Sequence, residues 1–351
     1  MSSRVEPATH GAIDFAELER LGIRPEDVLD FSVNSNPFGP SPKVWDAIRQ
    51  TPLERYPDRE SIALRRALSQ RLEVPPEEII VGNGTAELIQ LTAVALLRGG
   101  ENILVAEPTF GEYERSIRLV DGNICRWQAV PETGFAFRPD EIQKQLANAR
   151  MVFICNPNNP TGQILPLNIV DEWAQNFPDT LFVVDEAYLA FVPGMKSAVT
   201  LRRKNILTLR SMTKDYAIAG LRLGYAVADE AIIQALINVR PAWNVNALAQ
   251  SAGLAALQDE AYQRETLARL QIEKQKLVIG LKEIGFNPIP SHTNYFLLPV
   301  ANGADFRQKL LAHGILVRDC ASFGLPAHVR IATRTAEENT KLLTALASRN
   351  W

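Results

Sequence analysis

Short apolar runs without polar alternation recur through the middle of the chain and most constrain its fold. Six of them lie between about residues 60 and 245: Ile79–Val81, Ile103–Val105, Val152–Ile154, Leu181–Val184, Ile206–Leu209 and Gly224–Val227. Such runs are typical of strands that are buried on both faces of a parallel sheet. Helical stretches such as Ala86–Leu97 and Leu167–Asn176 separate several of them. The pattern predicts an α/β fold in which helices cover both faces of a mostly parallel sheet.

The two ends of the chain follow other patterns. Asp14–Leu21 favours a short helix, whereas the proline-rich segment 34–42 excludes a regular helix or inner strand, because proline fixes φ and lacks an N–H. After residue 245, helical sequence (Ala247–Ile284) precedes three strand-like segments and a last helix, Ala336–Ser348. We therefore expect an N-terminal arm that also contributes to a small domain (1–45), a large domain (46–245) and a smaller α+β C-terminal domain (246–351).

Composition excludes several classes of protein. The 351 residues are 46% hydrophobic and 22% charged, which is ordinary for a globular protein and unlike collagen, a disordered chain or a coiled coil. A net charge of −3 argues against non-specific nucleic-acid binding. The three cysteines, Cys125, Cys155 and Cys320, form no C-x-x-C pair, so we expect neither a disulfide framework nor a structural metal site. Without a secretory signal or an apolar run near the ~20 residues of a membrane span, we expect a cytoplasmic protein that binds no membrane.

Three polar segments follow apolar runs and could carry chemistry. Gly82–Glu87 joins a strand to a helix, where glycines let backbone N–H groups approach a phosphate; a simple tight turn explains this segment equally well. Asp185–Tyr188 ends another run and could bind a buried cation, although a capped strand end explains it better when it is taken alone. Ser211–Lys214 offers a lysine for a Schiff base. It also matches the S-x-x-K of serine acyl-enzymes, whose S-D-N and K-T-G partner strings do not occur in this chain.

Together the three segments match the needs of one cofactor, pyridoxal 5′-phosphate. A phosphate needs several donors, a pyridinium nitrogen needs an anion, and the aldehyde needs a lysine amine. The chain would supply each of the three just after an apolar strand, and ligands in open α/β sheets bind beyond the carboxyl ends of the strands.

At this point the chain resembles the fold-type I, class I/II aminotransferase superfamily, and within it the branch of histidinol-phosphate aminotransferase and threonine-phosphate decarboxylase. The resemblance covers almost the whole chain. It implies a large domain with a mostly parallel sheet between helices, a smaller α+β domain, pyridoxal phosphate as cofactor and a small amino-acid substrate. Its motifs are Asn34–Pro40, Arg55–Asp58, Gly82–Glu87, Pro108–Phe110, Asn156–Gly162, Asp185–Tyr188, Ser211–Lys214 and Gly220–Tyr225, with His10–Gly11, Trp243–Ala249 and Ile315–Cys320 pointing to the decarboxylase.

The resemblance also implies roles for individual residues. Lys214 would form the Schiff base, Asp185 would pair with the ring nitrogen, and Tyr188 and Asn159 would bind the ring hydroxyl. Phe110 would stack on the ring, and Arg330, assisted by Asn36, would bind the substrate carboxylate. The phosphate would be held by Thr85 and Ala86 (backbone N–H), Ser211, Thr213 and Arg222, and by Tyr56 of a neighbouring subunit, which implies a homodimer with shared sites.

Three departures from the decarboxylase pattern leave the reaction open. The chain has Ala12 where a second glycine is usual after His10–Gly11, Asp215 where an aromatic residue usually follows the lysine, and Asn244 where a serine usually follows the tryptophan. We expect His10, Asp215, Trp243 and Asn244 to face the substrate. Asp215, with Glu6 of the arm, could favour a cationic substrate group, or it could instead face solvent or cap a turn.

The chemistry implied is reaction at the α-carbon of an amino acid joined to the cofactor as an external aldimine. Transamination, decarboxylation and elimination share the same motifs, so the sequence does not separate them. One alternative is a lyase or cyclodehydratase on a hydroxylated guanidino amino acid. Another is a non-catalytic, cofactor-binding sensor, which the presence of Lys214 and the lack of room for a DNA-binding domain disfavour.

Overall fold

The computed structural model describes residues 5–348. Within them the chain forms twelve α-helices: α1 Phe15–Leu21, α2 Pro42–Gln50, α3 Ile62–Leu72, α4 Gly84–Leu96, α5 Glu112–Arg118, α6 Pro139–Leu146, α7 Leu167–Asn176, α8 Glu230–Val239, α9 Ala247–Leu257, α10 Glu260–Glu283, α11 Gly303–Leu311 and α12 Ala336–Ser348. The same residues form twelve strands: β1 Leu29–Asp30, β2 Ile79–Gly82, β3 Asn102–Glu107, β4 Asn123–Gln128, β5 Met151–Cys155, β6 Leu181–Asp185, β7 Ile206–Ser211, β8 Gly224–Val227, β9 Tyr295–Pro299, β10 Ile315–Leu316, β11 Arg318–Asp319 and β12 His328–Ala332.

Seven strands form one sheet in the order β2-β8-β7-β6-β5-β3-β4. Strands β3 to β7 run parallel, while β8 is antiparallel to both of its neighbours. The α/β architecture with a mostly parallel sheet between helices is thereby confirmed. Side chains of β5 alternate between two cores, Phe153 packing with α4 and α8 on one face and Val152 and Ile154 with α6 and α7 on the other.

Two smaller sheets are built from the C-terminal elements and a segment near the N-terminus. Strands β11, β12 and β9 form an antiparallel sheet, and β1 pairs with β10 in parallel. Leu277 and Leu281 of α10 and Leu342 and Leu346 of α12 pack in a core with the apolar residues of β9 and β12. This α+β arrangement agrees with the expected small domain, while the domain limits at residues 45 and 245 stay a prediction.

Local sequence accounts for several element boundaries. Asp14 caps α1 by accepting hydrogen bonds from the backbone N–H groups of Ala16 and Glu17. Asn246 caps α9 in the same way, by accepting from the N–H of Ala249. None of the helices in the described residues combines the length and apolar character needed to cross a membrane.

Candidate active site

A pocket with a volume of about 420 Å³ opens at the carboxyl ends of the central strands. Strands β5, β6 and β7, the start of α4, the segments 9–12 and 32–35, and strands β11 and β12 contribute to its wall. The pocket brings together twelve of the residues singled out from the sequence: His10, Thr85, Ala86, Phe110, Asn159, Asp185, Tyr188, Ser211, Thr213, Lys214, Arg222 and Arg330.

Asp185 ends β6 and presents a buried carboxylate to the pocket. The hydroxyl of Tyr113 donates to Oδ2 at 2.8 Å, and the N–H of Ala187 donates to Oδ1 at 3.0 Å. Burial raises the pKa of Asp185 to about 6 despite these two donors. No salt bridge within residues 5–348 includes Asp185, so its charge is available to a cationic ligand group.

Lys214 follows β7 and reaches the same pocket. Burial, together with the positive charges of Arg330 and Arg222, lowers the pKa of its amine to about 8. A lysine with this pKa has an appreciable neutral, nucleophilic fraction near neutral pH.

An anion cradle lies where β2 meets α4. Gly84 begins α4 with a φ of +79°, and a Cβ at this position would lie 2.8 Å from Nη2 of Arg222. A Cβ on Gly224 of β8 would lie 3.0 Å from the backbone nitrogen of Thr85. The space is therefore kept open by two glycines. This space is bordered by the N–H groups of Thr85 and Ala86 at the helix N-terminus and by the guanidinium of Arg222. It is also bordered by the hydroxyls of Ser211 and Thr213, whose oxygens are 2.7 Å apart.

Two buried arginines also line the pocket. Arg318 of β11 and Arg330 of β12 are directly opposite each other across the two strands. Arg330 donates to Oδ1 of Asn159 and, at 2.6 Å, to the carbonyl of Ser32. Arg318 donates to the carbonyl of Thr9 at 3.0 Å and to Ser322 Oγ at 2.6 Å. The Nε of each arginine has no partner in the described part of the chain.

Burial lowers the pKa of Arg318, and the charge of Arg330 lowers it further. Among the described residues, the one salt-bridge partner of these two arginines is Asp319, whose Oδ2 lies 3.6 Å from Arg318 Nη1. This pair of adjacent buried cations therefore favours anions in the pocket.

Aromatic and polar side chains complete the pocket. Phe110 lies beside His10, with ring centroids 5.4 Å apart. Nε2 of His10 is 2.8 Å from Oε1 of the buried Glu112. The hydroxyl of Tyr188 accepts a hydrogen bond from Nδ2 of Asn34 at 3.3 Å, and burial raises its pKa to about 12.

Asn36 and Asp215, which the sequence analysis expects at the substrate, lie behind the pocket wall. Oδ2 of Asp215 accepts from Nε2 of Gln263 at 2.5 Å, and Nδ2 of Asn36 donates to the carbonyl of Asp215 at 3.1 Å and to Thr266 Oγ1 at 2.9 Å. The expected contacts of Asn36 and Asp215 with the substrate are therefore not present. Because the side chain of Lys214 enters the pocket, the next side chain, that of Asp215, points to the opposite side, towards α10.

Trp243, Asn244, Tyr56 and Glu6 also lie outside the pocket within this chain. Asn244 donates to Oε2 of Glu87 at 2.7 Å, behind the start of α4, and the ring of Trp243 stacks on Tyr56 with centroids 4.6 Å apart. Tyr56 is 80% exposed, as a residue directed towards a second subunit would be. Glu6 lines a separate surface cavity. The expected substrate contacts of Trp243, Asn244 and Glu6 are therefore not present in the single chain.

Sequence reasoning gave no role to Tyr113, Asn34 or Arg318. Tyr113 and Asn34 act on Asp185 and Tyr188 from distant parts of the chain, and no local pattern signals that. Arg318 interrupts the apolar run Ile315–Val317 with a charge, which is a signal that could have indicated a functional side chain.

The residues present fit pyridoxal phosphate. The glycine-bordered cradle suits a phosphate, the unpaired carboxylate of Asp185 suits a protonated ring nitrogen, and the amine of Lys214 lies in the same pocket.

Comparisons with known proteins agree with this fit. Residues 26–346 match the family described as aminotransferase class I and II. The chain is 35% identical to histidinol-phosphate aminotransferase of Anaeromyxobacter sp. (strain Fw109-5) over 341 residues, covering 94% of this chain and 93% of that relative.

Two solved structures have the same fold. One is histidinol-phosphate aminotransferase of Sinorhizobium meliloti in complex with pyridoxal-5′-phosphate, with a TM-score of 0.87 and 25% identity over 96% of this chain and 94% of that one. The other is L-threonine-O-3-phosphate decarboxylase of Porphyromonas gingivalis, with a TM-score of 0.80 and 28% identity over 91% of this chain and 98% of that one.

Proposed function

The chain belongs to the aminotransferase class I and II family and is a pyridoxal-phosphate-dependent enzyme acting at the α-carbon of an amino acid; on that premise we propose that its substrate is a phosphorylated amino compound. The observation that carries the proposal is the buried pair Arg318 and Arg330, directly opposite each other in the pocket wall. Two adjacent guanidinium groups suit a substrate with two anionic groups, such as a carboxylate and a phosphate. Relatives named for histidinol phosphate and threonine phosphate support a phosphorylated substrate, and threonine phosphate carries both a carboxylate and a phosphate.

Each group of pocket residues has one task in this proposal. Thr85, Ala86, Ser211, Thr213 and Arg222 hold the cofactor phosphate. Asp185, oriented by Tyr113, keeps a proton on the ring nitrogen, because a buried carboxylate gains most by pairing with a cation. Phe110 packs on the ring face, and Asn159 and Tyr188 bind the ring hydroxyl.

The reaction needs a base and a fixed substrate orientation. When bound, pyridoxal phosphate supplies an electron sink for the pair of electrons left at the α-carbon. Lys214, with its lowered pKa, accepts and returns a proton at Nζ. Arg330 orients the substrate by its carboxylate and so influences which bond at the α-carbon breaks, while Arg318 binds the second anion.

The two arginines of the pocket also disfavour the alternative reaction on a guanidino amino acid. A guanidino substrate would meet two like charges, and Asp215, its expected partner, lies behind the pocket. No observation favours a non-catalytic sensor.

We also propose a homodimer. The exposed stack of Tyr56 and Trp243 places two aromatic rings on the surface, and Leu53, three residues before Tyr56 in the sequence, is 75% exposed. Tyr56 would reach the cofactor phosphate of the partner subunit. A cytoplasmic location stays a prediction.

Mass spectrometry of reaction products tests the substrate class. The holoenzyme is incubated with L-threonine O-3-phosphate, or with histidinol phosphate and 2-oxoglutarate, and in parallel with the same compounds lacking phosphate. We expect loss of carbon dioxide or exchange of an amino for a keto or aldehyde group in a phosphorylated compound only. Arg318→Gln should lower kcat/KM for it by about 10²-fold or more and leave the unphosphorylated compound little changed. Equal turnover of both members of a pair, or water loss from a hydroxylated arginine, would contradict the proposal.

A further inference from the structure

Asp215 is a buried carboxylate in contact with α10. It is 4% exposed, although it directly follows the lysine of the pocket. Its Oδ2 accepts from Gln263 Nε2 at 2.5 Å, and its Oδ1 has no hydrogen-bond partner in the described residues. A carboxylate removed from water in this way is costly unless its environment compensates, so its location needs a physical reason.

The main-chain carbonyls of Lys214 and Asp215 are connected to the same helix through Asn36. The N–H of Asn36 donates to the carbonyl of Lys214 at 2.8 Å, and Nδ2 of Asn36 donates to the carbonyl of Asp215. Asn36 is in turn bound to Thr266, which lies three residues after Gln263 and thus on the same face of α10. The Lys214–Asp215 peptide is therefore clamped to one face of α10, through Gln263 directly and through Asn36.

Charged residues behind the pocket alternate with the residues that line it. Glu186 follows Asp185, Arg210 precedes Ser211, and Asp215 follows Lys214. Arg210 Nη1 is 3.5 Å from Glu186 Oε2. Burial raises the pKa of Asp215 to about 6, and the charge of Arg210 opposes that rise. The side chains of Tyr216, Tyr225 and Arg71 also face this carboxylate.

We propose that Asp215 is a positioning residue, which fixes the main chain of Lys214 through Gln263 of α10 and thereby sets where Nζ lies in the pocket. This inference rests on the proposed role of Lys214. It replaces the substrate contact expected for Asp215 from the sequence. Lysine has four rotatable methylene groups, so the location of its amine is only as well defined as the anchoring of its Cα. Displacement of a reacting group by about 1 Å can cost about 100-fold in rate.

Paired substitutions of the holoenzyme separate anchoring from substrate binding. Asp215→Leu and Gln263→Leu each break the contact at similar side-chain size, whereas Asp215→Asn keeps an oxygen that accepts from Gln263. We expect the two leucine variants to lower kcat about tenfold or more with KM within about twofold, and Asp215→Asn to stay within about threefold of the wild type. The double variant should be little worse than either single one, because both remove the same contact.

A spectroscopic measurement without substrate provides the second readout. The absorbance of the bound cofactor is followed as a function of pH, and its midpoint reports the environment of the Lys214 amine. Both leucine variants should shift this midpoint in the same direction by about 0.5 pH unit or more. Asp259→Asn is the matched control: Asp259 precedes α10, and its carboxylate accepts from Ser41 and lies 3.7 Å from Lys43 Nζ. Its midpoint and kcat should equal those of the wild type.

Three outcomes are decisive. A rise in KM for Asp215→Asn with unchanged kcat would make Asp215 a substrate ligand and overturn the inference. Wild-type kcat and midpoint in folded Gln263→Leu would overturn it as well, and this variant decides the question should Asp215→Leu fail to fold. Survival of the pH-dependent absorbance in Lys214→Ala would instead overturn the proposed role of Lys214, whatever Asp215 does.

Discussion

Two charged side chains of the pocket, those of Asp185 and Lys214, have shifted pKa values because burial disfavours their charged forms. Asp185 has two donors, yet its pKa is raised to about 6. Lys214 has a pKa lowered to about 8 in the same pocket. Without a ligand, the folded protein therefore disfavours the charged forms of both groups, and a cofactor that pairs with them relieves this cost.

The lowered pKa of Lys214 predicts unusual reactivity in the apoprotein. Brief treatment with acetic anhydride over a range of pH, followed by peptide mass mapping, should give a half-maximal rate at Lys214 near pH 8. Arg330→Gln removes the positive charge that lowers the pKa of Lys214 most, and it should move this midpoint to higher pH. Lys341, whose pKa is raised by Glu337, is the control and should still gain reactivity above pH 10. Identical profiles for the two lysines would contradict the prediction.

Asp185→Asn should stabilise the apoprotein while impairing the enzyme. The folded-state pKa of about 6 exceeds the ordinary value of 3.8, so the stability that this group contributes is fully present below pH ~4 and is lost as pH rises through 6. Asparagine does not ionise, and the variant should gain up to about 2–3 kcal/mol in free energy of unfolding at pH 8. Urea unfolding of the apoproteins at pH 8 and pH 4.5 measures the difference, which should shrink at the lower pH.

A half-buried ion pair supplies the opposite control. Arg203 holds the pKa of Asp171 below its ordinary value. Asp171→Asn should therefore destabilise the apoprotein slightly at pH 8 and have less effect at low pH. An Asp185→Asn variant that is less stable than the wild type at pH 8 would contradict the assignment of a destabilising charge.

Residue identity predicted much of the pocket but not its supporting contacts. Asp185, Lys214 and Gly84 lie at or shortly after the carboxyl ends of strands, so strand prediction alone brings them to one edge of the sheet. Asp215 was misplaced because the side-chain direction within a turn depends on tertiary packing, here on Gln263 of α10. The proposed role of Arg318 could be inferred only from the strand register, which places this residue opposite Arg330.

At the scale of elements, the contact between β8 and α4 sets the shape of the anion cradle. Gly224→Ala would place a Cβ 3.0 Å from the backbone of both Arg210 and Thr85, and neither main chain can yield cheaply. We expect a loss of about 1–3 kcal/mol in free energy of unfolding and weaker cofactor binding. Gly220→Ala is the control, since nothing lies within 4 Å of its added Cβ. Urea unfolding and equilibrium dialysis of the cofactor measure both effects; equal behaviour of the two variants would refute the steric argument.

The sequence predicted elements well where periodicity was strong and poorly where it was weak. Both limits of α7 and α12 agree with the predicted spans. The region Ala247–Ile284 is divided at Gln258 and Asp259 into α9 and α10. The sequence did not predict this division, because neither residue is the Gly or Pro that typically signals a helix end. Strand β4 was missed because, as an edge strand, it is mostly exposed and lacks an apolar run.

At the scale of the whole molecule, a shared site predicts complementation between two inactive variants. Lys214→Ala and Tyr56→Ala chains are mixed after mild dissociation and reassociated. If Tyr56 serves the partner's site, mixed dimers contain one site with both defects and one intact site, and activity should recover to about a quarter of the wild type. Enzyme assays and sedimentation velocity measure activity and assembly. No recovery from well-formed dimers would place Tyr56 at the site of its own chain or at none.

The pairing of β1 with β10 also has a consequence for synthesis on the ribosome. All seven strands of the large sheet precede residue 228, whereas Arg330 binds Ser32 across 298 positions of sequence. At about 5–20 residues per second, a nascent chain can complete its large sheet several seconds before β10 to β12 emerge. During that interval residues 29–31 lack strands β10 and β12, with which their main chain pairs. A ribosome that stalls after β8 should therefore display a protease-resistant sheet whose N-terminal segment is still cleavable.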